Sequence, residues 1–471
     1  WRDMIAAKKI GSTDVSHVVP RYNWTSGSNY YAYNQANNSL FDQQFYVMTD
    51  DYNVYKCLAN NNAGGTSTTK PSGVGTAIIE TADTYAWKFM YQISAARALK
   101  FVTPSYMPVQ RVRKANDAIA NTTDSSFQYD VEIAANTSGN GAIEVCHVTT
   151  AGSAYKFETG TVQSGYTETT TTVKITGAGL ATDDIVNNDI YFTDGALAGT
   201  GGTITDYQSG TQVVTYAPAT AAAAADGVAY SIAPKCVITG DGQGANVRLT
   251  NTASGTIGGV VVIAGGNNYG NAVATISTNS GSSGVVTPIV GPLGGHGGNA
   301  TEELGGFFVM VNSRLEYGES GNFTTNNDFR KIGLLAQPLY SNGDVAVATT
   351  ADQCVTATIQ SWNSTAYAED ELVTGALSGA TGKVVDFKSN TTLRMVDVTM
   401  GSNTTAGYDS IKGSFQANET ITAPSGASSN TSAVVGGDFQ RFSGDVLYVE
   451  NRSPVTRADD QIEDVKLIIE F

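Results

Sequence analysis

The feature that most constrains this chain is a set of short runs in which large side chains alternate with small or polar ones. The clearest is Tyr85-Ala-Trp-Lys-Phe-Met-Tyr91, with an aromatic ring at every second residue. Successive side chains of a β-strand point to opposite faces, so this spacing predicts a strand with one buried face. Shorter alternating runs follow at 171–175, 212–216 and 260–263, separated by Gly, Ser, Thr and Asn. We therefore expect a mainly β fold with a few short helices.

Helix signals are few. Ser94 to Phe101 is the best candidate, because Ser94 can cap it, the Ala, Arg, Leu and Lys that follow favour helix, and Pro104 stops it. Ala219 to Ala225 fits either a short helix or a spacer.

The composition excludes several classes of function. Only 15% of the 471 residues are charged, against about 25% in ordinary soluble domains, and the net charge is −16. A nucleic-acid partner would need clustered Lys and Arg, so we expect none. No apolar run approaches the roughly 20 residues of a membrane span, so membrane insertion is not expected either. Low charge with many Gly, Thr and Tyr is typical of virion and other extracellular β proteins.

The amino-acid composition changes along the chain. Residues 1–120, 296–351 and 439–471 are rich in aromatic and aliphatic side chains, whereas 121–295 and 352–438 are rich in Gly, Ser and Thr. The alternating segment 464–471 predicts a closing strand that pairs inside the first domain. We expect a β-sandwich-like core domain built from both ends of the chain, with 121–295 and 352–438 as inserted small β domains.

Each predicted insert contains an internal repeat. Val148 to Tyr155 and Val262 to Tyr269 both read as a strand, a turn of small residues and a Tyr that covers the turn. In the second insert, Glu371 followed by Ser378-Gly-Ala380 reappears as Glu419 followed by Ser425-Gly-Ala427. Since one hairpin alone is marginally stable, the second pair predicts a small barrel or a module of two hairpins.

Residues that could carry chemistry are scattered. Cys57, Cys146, Cys236 and Cys354 lie far apart in sequence and predict free thiols. The three histidines, His17, His147 and His296, do not have metal-ligand spacing. His296, between glycine pairs, is either an exposed base on a flexible loop or a turn residue at a domain boundary.

The paired carboxylates of this chain are predicted to act in turns and helix caps and not in catalysis. Glycoside hydrolysis needs two carboxyls across a cleft, which adjacency in sequence neither shows nor excludes. The loop 181–188 could hold Ca²⁺ but lacks EF-hand spacing. No nucleophile elbow, phosphate-binding loop or dinucleotide fingerprint is present. We predict no catalytic, cofactor-binding or metal-binding residue and no enzyme activity. The carboxylate pairs are Asp50-Asp51, Asp183-Asp184, Glu302-Glu303 and Asp459-Asp460.

Four segments carry a family resemblance, and they cover less than half of the chain. They are Val18 to Trp24; Val54 to Leu58 with Ile79 to Tyr91; Asp328 to Ile332; and Ser443 to Pro454 with the closing strand. In this order they resemble the baseplate wedge proteins encoded by gene 8 of T-even-like contractile-tailed bacteriophages, in a cyanophage-type form. The two Gly/Thr-rich stretches have no obvious counterpart in the enterobacterial form and look like extra β-rich insertions. Family members also carry a portion ahead of the segment that matches Trp1, so we expect the chain to start inside a longer protein.

The resemblance implies a structural subunit of the tail baseplate of a virion, assembled in the bacterial host cytoplasm. Such a subunit forms a homodimer, contacts other wedge proteins and rearranges when the phage attaches. It implies no cofactor and no catalytic residue. Candidate interface or core anchors are the aromatic residues Trp24, Tyr85, Trp87 and Tyr91 and the arginines Arg21, Arg330 and Arg452, the latter suited to pairing with carboxylates.

Two other classes of function stay open at this point. The inserts could belong to a carbohydrate-binding tail adhesin that contacts host surface polysaccharide, although they are poor in Trp. A tail enzyme that degrades polysaccharide is disfavoured by the lack of a convincing carboxylate site.

Overall fold

The computed structural model describes residues 1–60, 65–112, 126–251, 255–316, 319–325, 328–399 and 415–471. It is mainly β, with 48% of residues in strands and 8% in helices, so the predicted fold class is confirmed. None of the helices in these ranges is long and apolar enough to cross a membrane.

The elements follow in this order. The N-terminal part contains β1 (Ala6–Lys8), β2 (Val15–Pro20), β3 (Tyr46–Met48), β4 (Asn53–Asn60), β5 (Ile78–Glu80), β6 (Tyr85–Gln92), α1 (Ala95–Phe101) and β7 (Tyr106–Val109). The middle part contains α2 (Ser126–Ser138), β8 (Ile143–Ser153), β9 (Glu158–Thr161), β10 (Thr172–Lys174), β11 (Asn188–Phe192), β12 (Gly201–Gln208), β13 (Val213–Ala217), β14 (Ala229–Gly240), β15 (Gln243–Asn251), β16 (Ile257–Asn267), β17 (Ala272–Ser277) and β18 (Ser282–Val290). The C-terminal part contains α3 (Ala300–Glu303), β19 (Phe308–Glu316), β20 (Asp328–Ala336), β21 (Thr350–Asp352), β22 (Val355–Trp362), β23 (Leu372–Gly375), β24 (Thr381–Lys388), β25 (Thr392–Thr399), β26 (Thr420–Thr422), β27 (Ser428–Val435), β28 (Asp445–Thr456) and β29 (Ile462–Glu470).

Contacts divide the chain into two compact units. The smaller unit consists of Trp1–Val15 and Met310–Ile469, and the larger unit of Ser16–Val309 and Glu470–Phe471. The predicted arrangement, a discontinuous core with two inserts, has boundaries that differ from those of the two units, and it stays a prediction. Its first boundary, at 120/121, lies outside the described residues.

The central sheet of the larger unit has the strand order β3-β4-β6-β5 and is covered on both faces. Trp87 belongs to the same buried cluster as Val131 of α2, and Met90 belongs to the same cluster as Ala300 of α3. Every side chain from Tyr85 to Tyr91 is buried. The prediction of a strand there is confirmed, but that of a single buried face is wrong, because the residues between the aromatics are covered as well.

The remaining strands of the larger unit form antiparallel pairs and one larger sheet. In that sheet β10, β13, β12, β11, β14 and β17 are successive neighbours, and β9 also pairs with β14. β2 pairs with β7, β8 with β18, and β15 with β16. The predicted helix after Ser94 is confirmed as α1, since the Ser94 side chain accepts a hydrogen bond from the Arg97 backbone N–H. Residues 219–225 form no helix, so they are a spacer.

The first predicted repeat folds as two similar strand endings. Tyr155 and Tyr269, which follow β8 and β16, are both buried. The Tyr155 hydroxyl accepts a hydrogen bond from the Gly284 backbone N–H at 2.9 Å, and the Tyr269 hydroxyl accepts one from the Ala245 N–H at 3.3 Å. The predicted turn of small residues is wrong, because β8 continues to Ser153 and β16 to Asn267. Each tyrosine instead anchors the start of a neighbouring strand.

The second predicted repeat forms a closed six-stranded barrel in the smaller unit, with the order β22-β25-β24-β23-β26-β27. Its two glutamates bind each other's turns. Glu371 accepts hydrogen bonds from the Ser425 backbone N–H and hydroxyl, at 2.6 and 2.9 Å. Glu419 accepts bonds from the same groups of Ser378, at 3.0 and 3.0 Å. This exchange crosslinks the two halves of the barrel.

One further repeat relates the Gly/Thr-rich stretches to each other. Strands β12 and β24 occupy positions 180 residues apart, and both follow a Gly-Ala-Leu turn that begins at Gly195 and Gly375. Each strand pairs with the next one along the chain, with a register shift at the corresponding point, before Asp206 and before Asp386. The same strand–bulge–strand unit is therefore used in both regions.

The glutamate exchange generates a prediction for the barrel. Glu419 is 1% exposed and Glu371 is only partly buried. Glu419→Gln leaves buried donors without an acceptor and should destabilise the barrel by about 2–3 kcal/mol. The matched Glu371→Gln change should cost less than about 1 kcal/mol, because water can replace the lost acceptor.

Hydrogen exchange of strands β22 to β27, measured as a function of urea, gives the free energy of barrel opening for each variant. Equal losses in the two variants would contradict the role assigned to burial of Glu419.

Candidate functional site

Two lysines lie directly opposite each other inside the larger unit. Lys56 on β4 and Lys88 on β6 are partners in the sheet register, and their side chains are 0% and 4% exposed. Lys56 forms an ion pair with Glu303, and the Lys88 Nζ lies 3.5 Å from a Glu144 carboxylate oxygen. An unpaired buried charge is strongly destabilising. Lys56 is satisfied by Glu303, whereas Lys88 donates to the Thr76 carbonyl at 2.7 Å in addition to its contact with Glu144.

The Glu303 carboxylate is held by the backbone of the Gly-rich segment before α3. The Gly297 N–H donates to both carboxylate oxygens, at 2.9 and 3.0 Å, and the Asn299 N–H donates to Oε1 at 3.0 Å. Gly297 has φ +92°, and a Cβ there would collide with Val131. Only glycine fits this position, and it aims the backbone donor at the carboxylate.

His296 is fully buried in the same segment. Its ring meets Tyr33 edge to face with 5.2 Å between centroids, and the Lys56 Nζ lies 4.5 Å from the Tyr33 ring centroid. Neither ring nitrogen has a hydrogen-bond partner among the described residues. Of the two interpretations from sequence, the exposed base is therefore wrong. His296 is a turn residue whose imidazole is enclosed.

The electrostatics of this cluster favour a neutral histidine. Burial, together with the charges of Lys56 and Lys88, lowers the pKa of His296 well below its ordinary value. Burial also lowers the pKa of Lys56, and Glu303 opposes that shift. A pocket of about 300 Å³ lies beside Lys88 and Glu144, with walls that are about equally polar and apolar. The charged side chains of this cluster, two lysines and two glutamates, already pair with each other. The cluster therefore neutralises its own charge, and its hydrogen bonds fix the Gly-rich segment onto the sheet.

An exposed apolar surface of the smaller unit lies on a two-stranded ribbon formed by β20 and β28. These strands pair antiparallel from Asp328↔Thr456 to Ala336↔Asp445 and have no further strand neighbour in the described part of the chain. Val446, Leu447 and Val449 on β28 are 55–61% exposed. Because a ribbon of two strands is marginally stable alone and exposed apolar patches mark interaction sites, this ribbon is the candidate interface.

The structure places the predicted aromatic anchors in the core. Tyr85, Trp87 and Tyr91 are at most 2% exposed, so their side chains are covered by the chain itself. Trp24 is partly buried, packs on the same cluster as Trp87, and donates from its indole to the Ser67 hydroxyl at 3.1 Å. Of the two predicted roles, interface anchor and core anchor, the positions of these aromatic residues fit the core role.

The predicted arginines do not share one role. Arg21 donates to the Asn23 side chain and the Thr103 carbonyl, at 2.9 and 3.0 Å, and not to a carboxylate. Arg452 pairs with Glu450 two residues earlier on β28. Arg330 is exposed on β20, and no ion pair involves it in the described ranges. The bidentate pair belongs instead to Arg314, which binds Asp464 at 2.9 and 3.0 Å and joins β19 to the closing strand β29.

The carboxylate pairs mostly take the expected turn roles. Asp50 and Asp51 lie in a turn and bind Lys70 at 2.7 and 3.3 Å, while Asp184 accepts a hydrogen bond from the Ala181 N–H. Glu303 is the exception, because it is buried against Lys56. The four cysteines are free and buried.

No group of three or more His, Cys, Asp or Glu residues is arranged to hold a metal ion within the described ranges. The suggested Ca²⁺ loop at 181–188 is included in those ranges.

Sequence comparison adds no relatives. No family model matches the chain, and neither a curated protein nor a solved structure is significantly similar to it.

The buried histidine predicts a pH dependence. The unfolded chain binds a proton at His296 near pH 6.5, whereas the folded chain does so only at lower pH. The free energy of unfolding that neutral His296 contributes is therefore fully present above about pH 6.5. It is lost as the pH falls below that value, by up to about 1.4 kcal/mol per pH unit. The His296→Phe variant should lose less stability than the natural chain between about pH 6.5 and 5.

Urea unfolding at several pH values measures this difference. His147, whose pKa is lowered by partial burial, provides the control, and His147→Phe should flatten the curve less than His296→Phe. An unchanged slope in His296→Phe would show that the buried ring does not titrate as described.

Proposed function

We propose that this chain is a structural subunit of the baseplate wedge of a contractile-tailed bacteriophage. It acts through protein–protein interfaces in baseplate assembly and in the rearrangement that follows host attachment, without catalysis or a cofactor. It is part of the virion, at the tail baseplate, and is assembled in the cytoplasm of the bacterial host. Its partners are a second copy of itself and other wedge proteins.

The observation that carries this proposal is the exposed ribbon of β20 and β28. A strand with three exposed aliphatic side chains suits a permanent contact better than a solvated surface. Two of the segments that resemble the wedge family, 328–332 and 443–454, are the two strands of this ribbon. The family resemblance and the candidate interface therefore coincide at one place.

The charges on β28 suit a contact between two copies of the chain. In a twofold contact, residue i of one copy meets residue j of the other, and residue j of the first meets residue i of the second. Glu450 and Arg452 lie on the same face of β28, two residues apart, and are already oriented toward each other. Antiparallel pairing of β28 with a second β28 can thus place each acidic side chain near a basic one.

The homodimer is tested by light scattering of the purified chain after size exclusion. We expect about 98 kDa, twice the 49.2 kDa of one chain, at micromolar concentration. The Leu447→Ser/Val449→Ser variant should give the monomer mass, because it removes apolar side chains from the ribbon. Val261→Ser/Val273→Ser is the matched control, since these valines are similarly exposed in the larger unit.

A natural chain that is monomeric under these conditions, or a ribbon variant that stays dimeric, would contradict this interface. Immunogold labelling of particles that contain the chain tests the location independently. We expect label at the baseplate end of the tail, and label confined to the capsid would contradict the proposal.

A further inference from the structure

A second surface feature lies in the larger unit, apart from the ribbon. It is a groove of about 350 Å³ whose walls are mainly aromatic and apolar. Its wall residues are Pro20, Tyr22, Phe41, Leu304, Phe307 and Phe308, with Asp42 and Glu470 as its carboxylates.

The aromatic wall of this groove is built rigidly although it faces solvent. The Phe41 and Phe307 rings meet edge to face with 5.0 Å between centroids, and the two side chains are 41% and 48% exposed. Gly305 has φ +74°, and a Cβ at this position would collide with the Phe41 ring. Phe41 therefore packs on a backbone position that requires glycine, and Phe307 packs on Phe41.

The groove carries negative charge and no positive charge. Asp42 and Glu470 are both exposed, and no ion pair involves either of them in the part of the chain that the structure describes. Burial, and to a smaller extent the charge of Asp42, raises the pKa of Tyr22. The nearby Arg21 is engaged with Asn23 and the Thr103 carbonyl.

We propose that this groove is a docking site for an arginine side chain presented by a partner protein. Aromatic faces attract a cation, and a carboxylate binds a guanidinium through two parallel hydrogen bonds. Arginine combines both contacts, because its planar guanidinium stacks on rings and is less strongly hydrated than the lysine ammonium. The charge of the groove is complementary to such a group and repels acidic segments. This inference does not depend on the ribbon or on tail assembly.

The test uses the full chain and three short peptides that differ at one residue. The probes are Ac-Gly-Arg-Gly-NH₂, the same peptide with lysine, and the same peptide with citrulline, which keeps the shape of arginine without its charge. Binding is measured by calorimetry and by ligand-observed NMR at low salt, where surface charges are least screened. We expect millimolar binding of the arginine peptide and at least tenfold weaker binding of the citrulline peptide.

Variants assign this binding to the groove. The Asp42→Asn/Glu470→Gln variant should weaken binding of the arginine peptide at least tenfold. The Phe41→Leu variant should also weaken this binding, without changing the charge of the groove. The matched control is Glu80→Gln/Asp226→Asn, which removes one Glu and one Asp charge from exposed positions of the same unit. Circular dichroism and thermal unfolding of each variant verify that the fold is kept.

Three results would overturn the proposal. They are no binding of the arginine peptide, equal binding of the arginine and citrulline peptides, and equal affinity in the groove variant and the Glu80/Asp226 control. Equal binding of the lysine peptide would overturn the assignment to arginine. None of these outcomes alters the mass of the dimer, so failure here is distinguishable from failure of the proposed function.

Discussion

The buried ion pair between Lys56 and Glu303 is the constraint on which the centre of the larger unit depends. Two lysines face each other across neighbouring strands, in a sheet that is covered on both faces. Burying two like charges is tolerable only if each is paired with a carboxylate or satisfied by hydrogen bonds. Glu303, held by the Gly297 and Asn299 backbone, does this for Lys56 and so ties a segment 247 residues away to the sheet. The His296 ring is enclosed as a consequence.

The Gly/Thr-rich stretches solve a different problem, which is how to fold with few charges and few large side chains. The second stretch closes a barrel, so that its strands have no free edge. In the second stretch, buried Glu419 holds the turn at Ser378. In the first stretch, Tyr155 and Tyr269 anchor the starts of β18 and β15. The ribbon of β20 and β28 is one of several two-stranded sheets in the described part of the chain, and it exposes three aliphatic side chains on β28.

Local signals in the sequence predicted the local structure well. The alternation of Tyr85 to Tyr91 predicted a strand and the Ser94 cap predicted a helix, because these features depend on near neighbours in the chain. The burial of Lys88 and the pairing of Glu303 were not predicted, since they depend on segments distant in sequence. Each lysine stands between apolar residues, in Val-Tyr-Lys-Cys-Leu and in Ala-Trp-Lys-Phe-Met. This pattern is the signal that could have indicated a buried lysine that requires a carboxylate or carbonyl partner. The repeat at a spacing of 180 residues was also visible, in the shared Gly-Ala-Leu turn and the Asp that follows each bulge.

A cryo-EM map of an intact contractile tail that contains this chain tests the account most directly. We expect the chain in the wedges around the tail hub, with β20 and β28 buried against a second copy and the Phe41 groove filled by a basic side chain of a neighbour. A map that places the chain in a peripheral fibre, with the ribbon in solvent and the Gly/Thr-rich lobes toward the host, would contradict the account.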